Sequence, residues 1–150
     1  MSFSFVVRYA TIADTAAVEA LLLEWLSFAV PRQQSLERAV RRRELLVAEV
    51  EGKVVGLISS VIHEDIVDGG PNSFITAFYI TPNWRNRGLG SALLKKAVDE
   101  ALDKGCLGVE TSTTSPDAGR LYERHCFSQF RGEVFLELDA RRYRNEQASR

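Results

Sequence analysis

Residues 79–102 read "YITPNWRNRGLGSALLKKAVDEAL". Tyr79 and Ile80 end an apolar run, "SFITAFYI", that reads as a strand. Thr81-Pro82 stops it, because proline has no N–H to give to a ladder. From Leu89 onward the spacing is helical: Leu89, Leu93, Ala97 and Ala101 lie on one line, with Leu94, Val98 and Leu102 beside it. Lys104-Gly105 supplies the cation and then the glycine expected at a helix C-terminus. Between strand and helix stand Arg85, Asn86, Arg87, Gly88 and Gly90. A helix N-terminus presents unpaired backbone N–H groups and a partial positive charge. Glycine lets that backbone come close to a ligand, and arginine adds charge-assisted donors. The turn therefore has the parts of a phosphate cradle, although the same residues also fit a plain strand–helix turn with two solvated arginines. It is not a P-loop, because Gly90 is followed by Ser91-Ala92 rather than Lys-Ser/Thr. Nor is it a dinucleotide fingerprint, because the third glycine position holds Leu93.

Working outward, "SFVVRYA" predicts a first strand and "TAAVEALLLEWL" an amphipathic helix, with Asp14 placed to cap it. "RQQSLERAVRRR" predicts a more polar second helix after Pro31. "ELLVAEV" and "KVVGLISSVIHE", joined by "EGK", read as a hairpin, and "DGGPN" as the next turn. Beyond the central helix, "CLGVETSTT" predicts a strand and Pro116 opens a short helix, "PDAGRLYERH". "FSQFRG" and "EVFLELD" predict two closing strands. The order β-α-α-β-β-β-α-β-α-β-β gives a mixed α/β (α+β) fold, with a mostly antiparallel central sheet flanked by helices and one crossover around the central helix. Residues 1–140 are expected to form one domain, and 141–150 a polar tail.

Bulk composition narrows the function classes. The 150 residues are 45% hydrophobic and 26% charged with a formal net charge of −1, so no global basic field suggests a nucleic acid or an anionic membrane as partner. No apolar run approaches a membrane span, and the first residues lack the pattern of a signal peptide. A cytoplasmic location is the expectation. Cys106 and Cys126 form neither a disulfide framework nor a metal-spacing pattern, and His63 and His125 are too far apart to suggest a metal site. Arg41-Arg42-Arg43 reads as a solvated helix end, where cations favour the dipole.

Arg85 to Gly90 match the Arg/Gln-x-x-Gly-x-Gly/Ala pattern of the GNAT acetyltransferase superfamily. "SPDAGRLYERHCF" resembles that family's second signature, Asn-x-x-Ala-x-x-Leu-Tyr-x-x-x-Gly-Phe, with Ala118, Leu121, Tyr122 and Phe127 in register. The element order resembles the family's layout over nearly the whole chain. This resemblance implies acetyl-CoA as co-substrate and no metal. Its pyrophosphate would sit on the N–H groups from Arg87 through Gly88, Leu89 and Gly90 to Ser91, with Arg85, Asn86 and Arg87 assisting or holding the turn. The pantetheine arm would lie in a gap beside the fourth strand, against main-chain groups of Phe78 and Ile80. Ser115 stands where the family often has Asn and is expected to hydrogen-bond near the cofactor arm with fewer bonds, and Cys126 stands where the family has Gly. If that glycine's left-handed geometry were kept, Cys126 would cost roughly 1–2 kcal/mol, so a different helix ending is expected.

Transfer of an acyl group to an amine needs a base to deprotonate the amine, a donor for the oxyanion and a proton for the leaving thiolate. The resemblance gives the last task to Tyr122. The acidic residue that many relatives carry in the fourth strand is missing, because those positions are Thr76 and Ala77. Candidates for the base are His63, Glu64, Asp65, Glu110 and Tyr79, or water alone. The acceptor pocket is expected to draw on Trp25, Phe28, Glu64, Asp65, Asp68 and Tyr79, a set that would suit a cationic amine. The implied function is transfer of acetyl from acetyl-CoA to a primary amine of a small molecule by direct attack in a ternary complex. A protein Nα- or Lys-acetyltransferase and a non-catalytic acyl-CoA-binding module are the alternatives. A homodimer is carried over as a family expectation.

Overall fold

The computed structural model describes residues 3–113, 115–128 and 148. Both predicted closing strands extend outside these residues, as does the polar tail except for residue 148. The element order is β1 (Phe5–Tyr9), α1 (Thr15–Trp25), α2 (Gln33–Arg41), β2 (Leu45–Val50), β3 (Lys53–Asp65), β4 (Gly70–Ile80), α3 (Leu89–Asp103), β5 (Val109–Glu110) and α4 (Pro116–Arg124). The sheet runs β1-β2-β3-β4-β5. Its first four strands are antiparallel neighbours, and β5 joins β4 in parallel after the α3 crossover.

Helices cover both faces, which is why β2 is an almost unbroken buried run rather than an alternating one. Leu46, Ala48 and Val50 pack under α3 against Leu89, Leu93 and Leu94. Leu45 and Val47 point the other way, toward Val18, Leu21 and Leu36 of α1 and α2. Leu102, expected at the margin of the buried stripe, is half exposed.

The β2–β3 turn is the two-residue loop Glu51-Gly52, with φ of 49° and 79°, the doubly left-handed geometry that matches strand twist. The second turn lies earlier than "DGGPN" suggests, because Pro71 and Asn72 already belong to β4. Asp65 shapes it by accepting the Val67 and Asp68 N–H groups at 2.9 and 3.1 Å.

Asp14 does not cap α1 from an extended backbone. It closes a 3-10 turn over Ile12–Asp14, where its carboxylate accepts the Thr11 N–H at 2.7 Å. The Arg8 guanidinium engages the same carboxylate at 2.7 and 2.9 Å, and also bonds Glu49 at 2.7 Å. α4 likewise departs from expectation at its end. Cys126 adopts φ 68°, so the left-handed ending is kept without glycine. The Phe127 N–H reaches the Tyr122 carbonyl at 3.1 Å and the Cys126 N–H the Glu123 carbonyl at 3.2 Å. Phe127 packs on the Tyr122 ring at 5.2 Å between centroids. That apolar contact, the usual companion of this helix ending, holds the strained residue in place.

Candidate active site

The turn from β4 into α3 has the shape of an anion cradle. Asn86 and Gly88 both have left-handed backbones, with φ of 58° and 87°. The first intrahelical bond of α3 runs from the Ala92 N–H to the Gly88 carbonyl, at 3.1 Å. The N–H groups of Leu89, Gly90 and Ser91 therefore precede the helical ladder, at the positive end of a 15-residue helix. The two glycines serve different ends. A side chain on Gly88 would meet nothing within 4 Å, so glycine is favoured there by φ. A Cβ on Gly90 would press on Leu121 at 3.3 Å and meet the Phe78 ring at 3.7 Å, so that glycine lets α4 close on the cradle.

The arginines are held by the protein. Arg85 donates its Nε–H to the Ile80 carbonyl at 2.8 Å, and its guanidinium lies 5.3 Å from the Tyr79 ring centroid. Arg87 lies over Trp84 at 5.0 Å and over Phe3 at 5.6 Å. Both therefore brace the turn, with the backbone N–H groups left facing outward. Ser91 is tied to His125 of α4 at 3.2 Å. Ser115 caps α4 by accepting the Ala118 N–H at 3.4 Å.

Beside β4 the sheet opens. β5 pairs only at Ser73–Val109 and Phe74–Glu110. On the other flank, Ala77 pairs with Ser59 and Ile75 with Ser60, so Thr76 is a bulge residue without a partner. The Thr81 N–H bonds Val55 of β3. By the alternation of a strand, main-chain groups of Ile80 and Phe78 point to the open edge. Tyr122 stands at the vertex of this opening. Its hydroxyl is 3.5 Å from the Thr111 Oγ1, which also reaches the Ile75 carbonyl at 3.5 Å. Burial pushes the Tyr122 hydroxyl above its ordinary pKa, partly opposed by the hydrogen bond with Thr111. The group is thus a protonated donor at neutral pH.

The remaining candidates fall into two groups. Trp25 stacks on Tyr79 at 5.6 Å, while Phe28 projects into solvent. Tyr79 is buried and donates to Glu24 Oε1 at 2.9 Å, and Thr81 donates to the same oxygen at 2.7 Å. Those two bonds, in that order Thr81 then Tyr79, hold the Glu24 carboxylate below its usual range. Glu24 was not among the sequence candidates. The available signal was an acid in the last turn of a helix, where it opposes the dipole and needs another reason to be there.

His63 and Glu64 lie on the exposed arm of the β3–β4 hairpin, opposite Asn72 and Pro71. His63 is three positions beyond Ser60, the partner of Ile75, which is roughly 10 Å along the strand. The arrangement does not bring either next to Tyr122. Glu110 is closer to the vertex, one residue from Thr111. Its carboxylate shares the Asn72 amide at 3.4 Å with Asp68 at 3.4 Å and Asp65 at 3.2 Å. Among the described residues no group of His, Cys, Asp and Glu side chains is arranged to hold a metal ion. No described helix is long and apolar enough to cross a membrane.

A cradle at a helix N-terminus, an open strand edge and a buried tyrosine beside it have the shape an acyl-CoA would need. The family model described as the Acetyltransferase (GNAT) family matches residues 15–127, and the chain belongs to that family. An aminoglycoside N(6')-acetyltransferase type 1 from Stenotrophomonas maltophilia is 30% identical over 106 residues, covering 67% of this chain and 69% of that protein. A thialysine N-epsilon-acetyltransferase from Bos taurus is 34% identical over 83 residues, or 46% of this chain. The match spans about half of that relative's length, at 48%. Among solved structures, AAC(6')-Iy in complex with the bisubstrate analogue CoA-S-monomethyl-acetylneamine shares the fold, with a TM-score of 0.78 at 18% identity over 91% of this chain and 99% of that one. The family's co-substrate is acetyl-CoA. The N–H groups of residues 89–91, the left-handed Gly88 and the open edge of β4 fit its diphosphate and extended arm.

Proposed function

We propose that the chain transfers acetyl from acetyl-CoA to a primary amine of a small molecule, by direct attack in a ternary complex. The observation that carries this reading is the Tyr122 hydroxyl at the vertex of the β4–β5 opening, on the same side of β4 as the α3 cradle. Acetyl-CoA, when bound, supplies an activated thioester. Leu89, Gly90 and Ser91 bind its diphosphate through their N–H groups. Main-chain groups of Phe78 and the Ile80 N–H hold the arm as an added strand, Tyr122 gives the departing sulfur a proton, and the attacking amine gives up its own proton through water. Thr76, at the bulge, exposes main-chain groups beside the thioester carbonyl.

The acceptor is a cationic amine. Asp65, Asp68 and Glu110 converge on one Asn72 amide with no Lys or Arg paired to them among the described residues; the cluster stands on the β3–β4 hairpin at the level of His63, and Glu110 is one residue from Thr111. The names of the relatives point the same way, since aminoglycosides and thialysine carry several amines. Thiol release measured with acetyl-CoA and a panel of an aminoglycoside, thialysine, L-2,4-diaminobutyrate and a simple monoamine tests the reading. The multiply charged amines are expected to stimulate release most, and Glu110→Gln to raise their KM. Absence of CoA binding by calorimetry, or release that no amine accelerates, would reject it.

A further inference from the structure

A second cavity lies at the far end of α3 from the cradle, under the helix and against the sheet. It encloses about 130 Å³. Its origin is a run of small residues: α3 presents Ala97 and Ala101, and the sheet meets them with Ser60 and Ser73. The neighbouring positions on this face are Leu46, Ile58 and Ile75, which close the core elsewhere. Ser73, only 1% exposed, is among the residues lining the cavity.

The mouth is cationic. Arg42, Arg43 and Lys104 line it, and none is in an ion pair among the described residues. The Arg43 guanidinium covers the Tyr9 ring at 3.8 Å, and Lys104 approaches the Tyr9 hydroxyl at 3.4 Å. Glu100 is already engaged by Tyr9 at 2.8 Å and by Lys96 at 3.2 Å. Glu44 removes one positive charge, and the C-termini of α2 and α3 remove about half a charge each. About one positive charge remains. Arg43 also holds φ 56° at a helix end where glycine is favoured, so the position keeps its guanidinium against backbone preference.

We propose that this cavity is a binding site for a small oxyanion, a phosphate or a short carboxylate. Its oxygens accept from the Ser73 and Ser60 hydroxyls, and its charge meets Arg43 and Lys104. The volume equals a few waters at ~30 Å³ each, too small for a nucleotide or CoA. The α3 helix sets the site about 20 Å from the cradle, so the two do not share ligands.

The test is a ¹H–¹⁵N NMR titration of the full chain with sodium phosphate and, separately, sodium succinate, at ionic strength held constant with sodium chloride. Saturable shifts are expected at Ser73, Ala101 and Lys104. Binding should weaken about tenfold in Arg43→Gly and in Ser73→Ala, as for loss of a charged or hydroxyl contact. Arg43→Gly relieves the left-handed residue, so it folds at least as well as the parent. Stronger binding of phosphate or of succinate identifies which oxyanion the site takes. Shifts confined to residues 87–91, no saturable shift with either salt, or an unchanged affinity in Arg43→Gly would overturn the proposal.

Discussion

Tyr122→Phe separates chemistry from binding because it removes one oxygen and leaves the packing intact. The ring keeps its neighbours Phe78 and Phe127 at 6.0 and 5.2 Å. The lost hydrogen bond, to Thr111, is 3.5 Å long, at the limit of a useful one. The cost in stability is therefore under about 1 kcal/mol, and Thr111 keeps the Ile75 carbonyl as a partner. The expected kinetic loss is larger. Positioned acids contribute 10²–10⁴-fold. A leaving thiol has a pKa near ~8.5, so its departure needs less help than an alkoxide's, and the low end of that range applies. A drop of about 10² in kcat corresponds to ~2.7 kcal/mol at the transition state. The diphosphate contacts lie at the α3 N-terminus, so CoA affinity should change little. Burial raises the Tyr122 pKa above its ordinary 10.0, so the donor stays protonated across an assay range of about pH 6 to 9. The parent kcat should then show no falling limb from this group within that range. Thiol-release kinetics with calorimetric CoA binding and a melting curve give all the quantities. A variant whose kcat stays within about twofold of the parent, or one that loses CoA affinity instead, would refute the reasoning.

Three further substitutions probe the frame. Cys126→Gly should stabilise the fold by about 1 kcal/mol, a gain of a few degrees in Tm, because φ 68° is then unstrained; a lower Tm would contradict this. Gly88→Ala should destabilise by a similar amount at φ 87° and weaken CoA several-fold by calorimetry, since the added Cβ fills open space beside the cradle. Asp14 is held at about 2, against 3.8 when unperturbed, first by the Arg8 hydrogen bonds, with burial opposing and the Thr11 N–H assisting. A depressed carboxylate stabilises the fold above its unfolded pKa and loses that contribution as pH falls from about 4 toward 2. Asp14→Asn should therefore cost about 2 kcal/mol in urea unfolding at pH 7, with the difference from the parent shrinking at pH 2 to 3.

What the sequence could and could not say follows from the range of the interactions involved. The α3 stripe, the Lys104-Gly105 stop and the Pro116 start are local effects, each decided within one or two turns, and each appears where the spacing puts it. The left-handed Gly88 belongs to the same class. Cys126 is the instructive exception. Local preference argues against its geometry, but Phe127 anchored on Tyr122 overrides that preference through a contact made by folding the helix end back.

The bulge at Thr76 and the opening of β4 from β5 depend on register between strands distant in sequence, and no single run of residues encodes them. The donor half was legible because a helix N-terminus with two glycines is a local device for holding phosphate. The acidic groups that the proposed acceptor would meet are assembled from separate elements. Glu24 on α1 meets Tyr79 and Thr81 on β4, and Glu110 on β5 meets Asp65, Asp68 and Asn72 of the hairpin. His63, opposite Asn72, stands at the level of this same cluster and Glu64 one position farther out, while Glu110 joins the cluster from β5, one residue from Thr111. Chemical type alone therefore does not order these acids, and their placement along paired strands decides which of them a bound amine would meet.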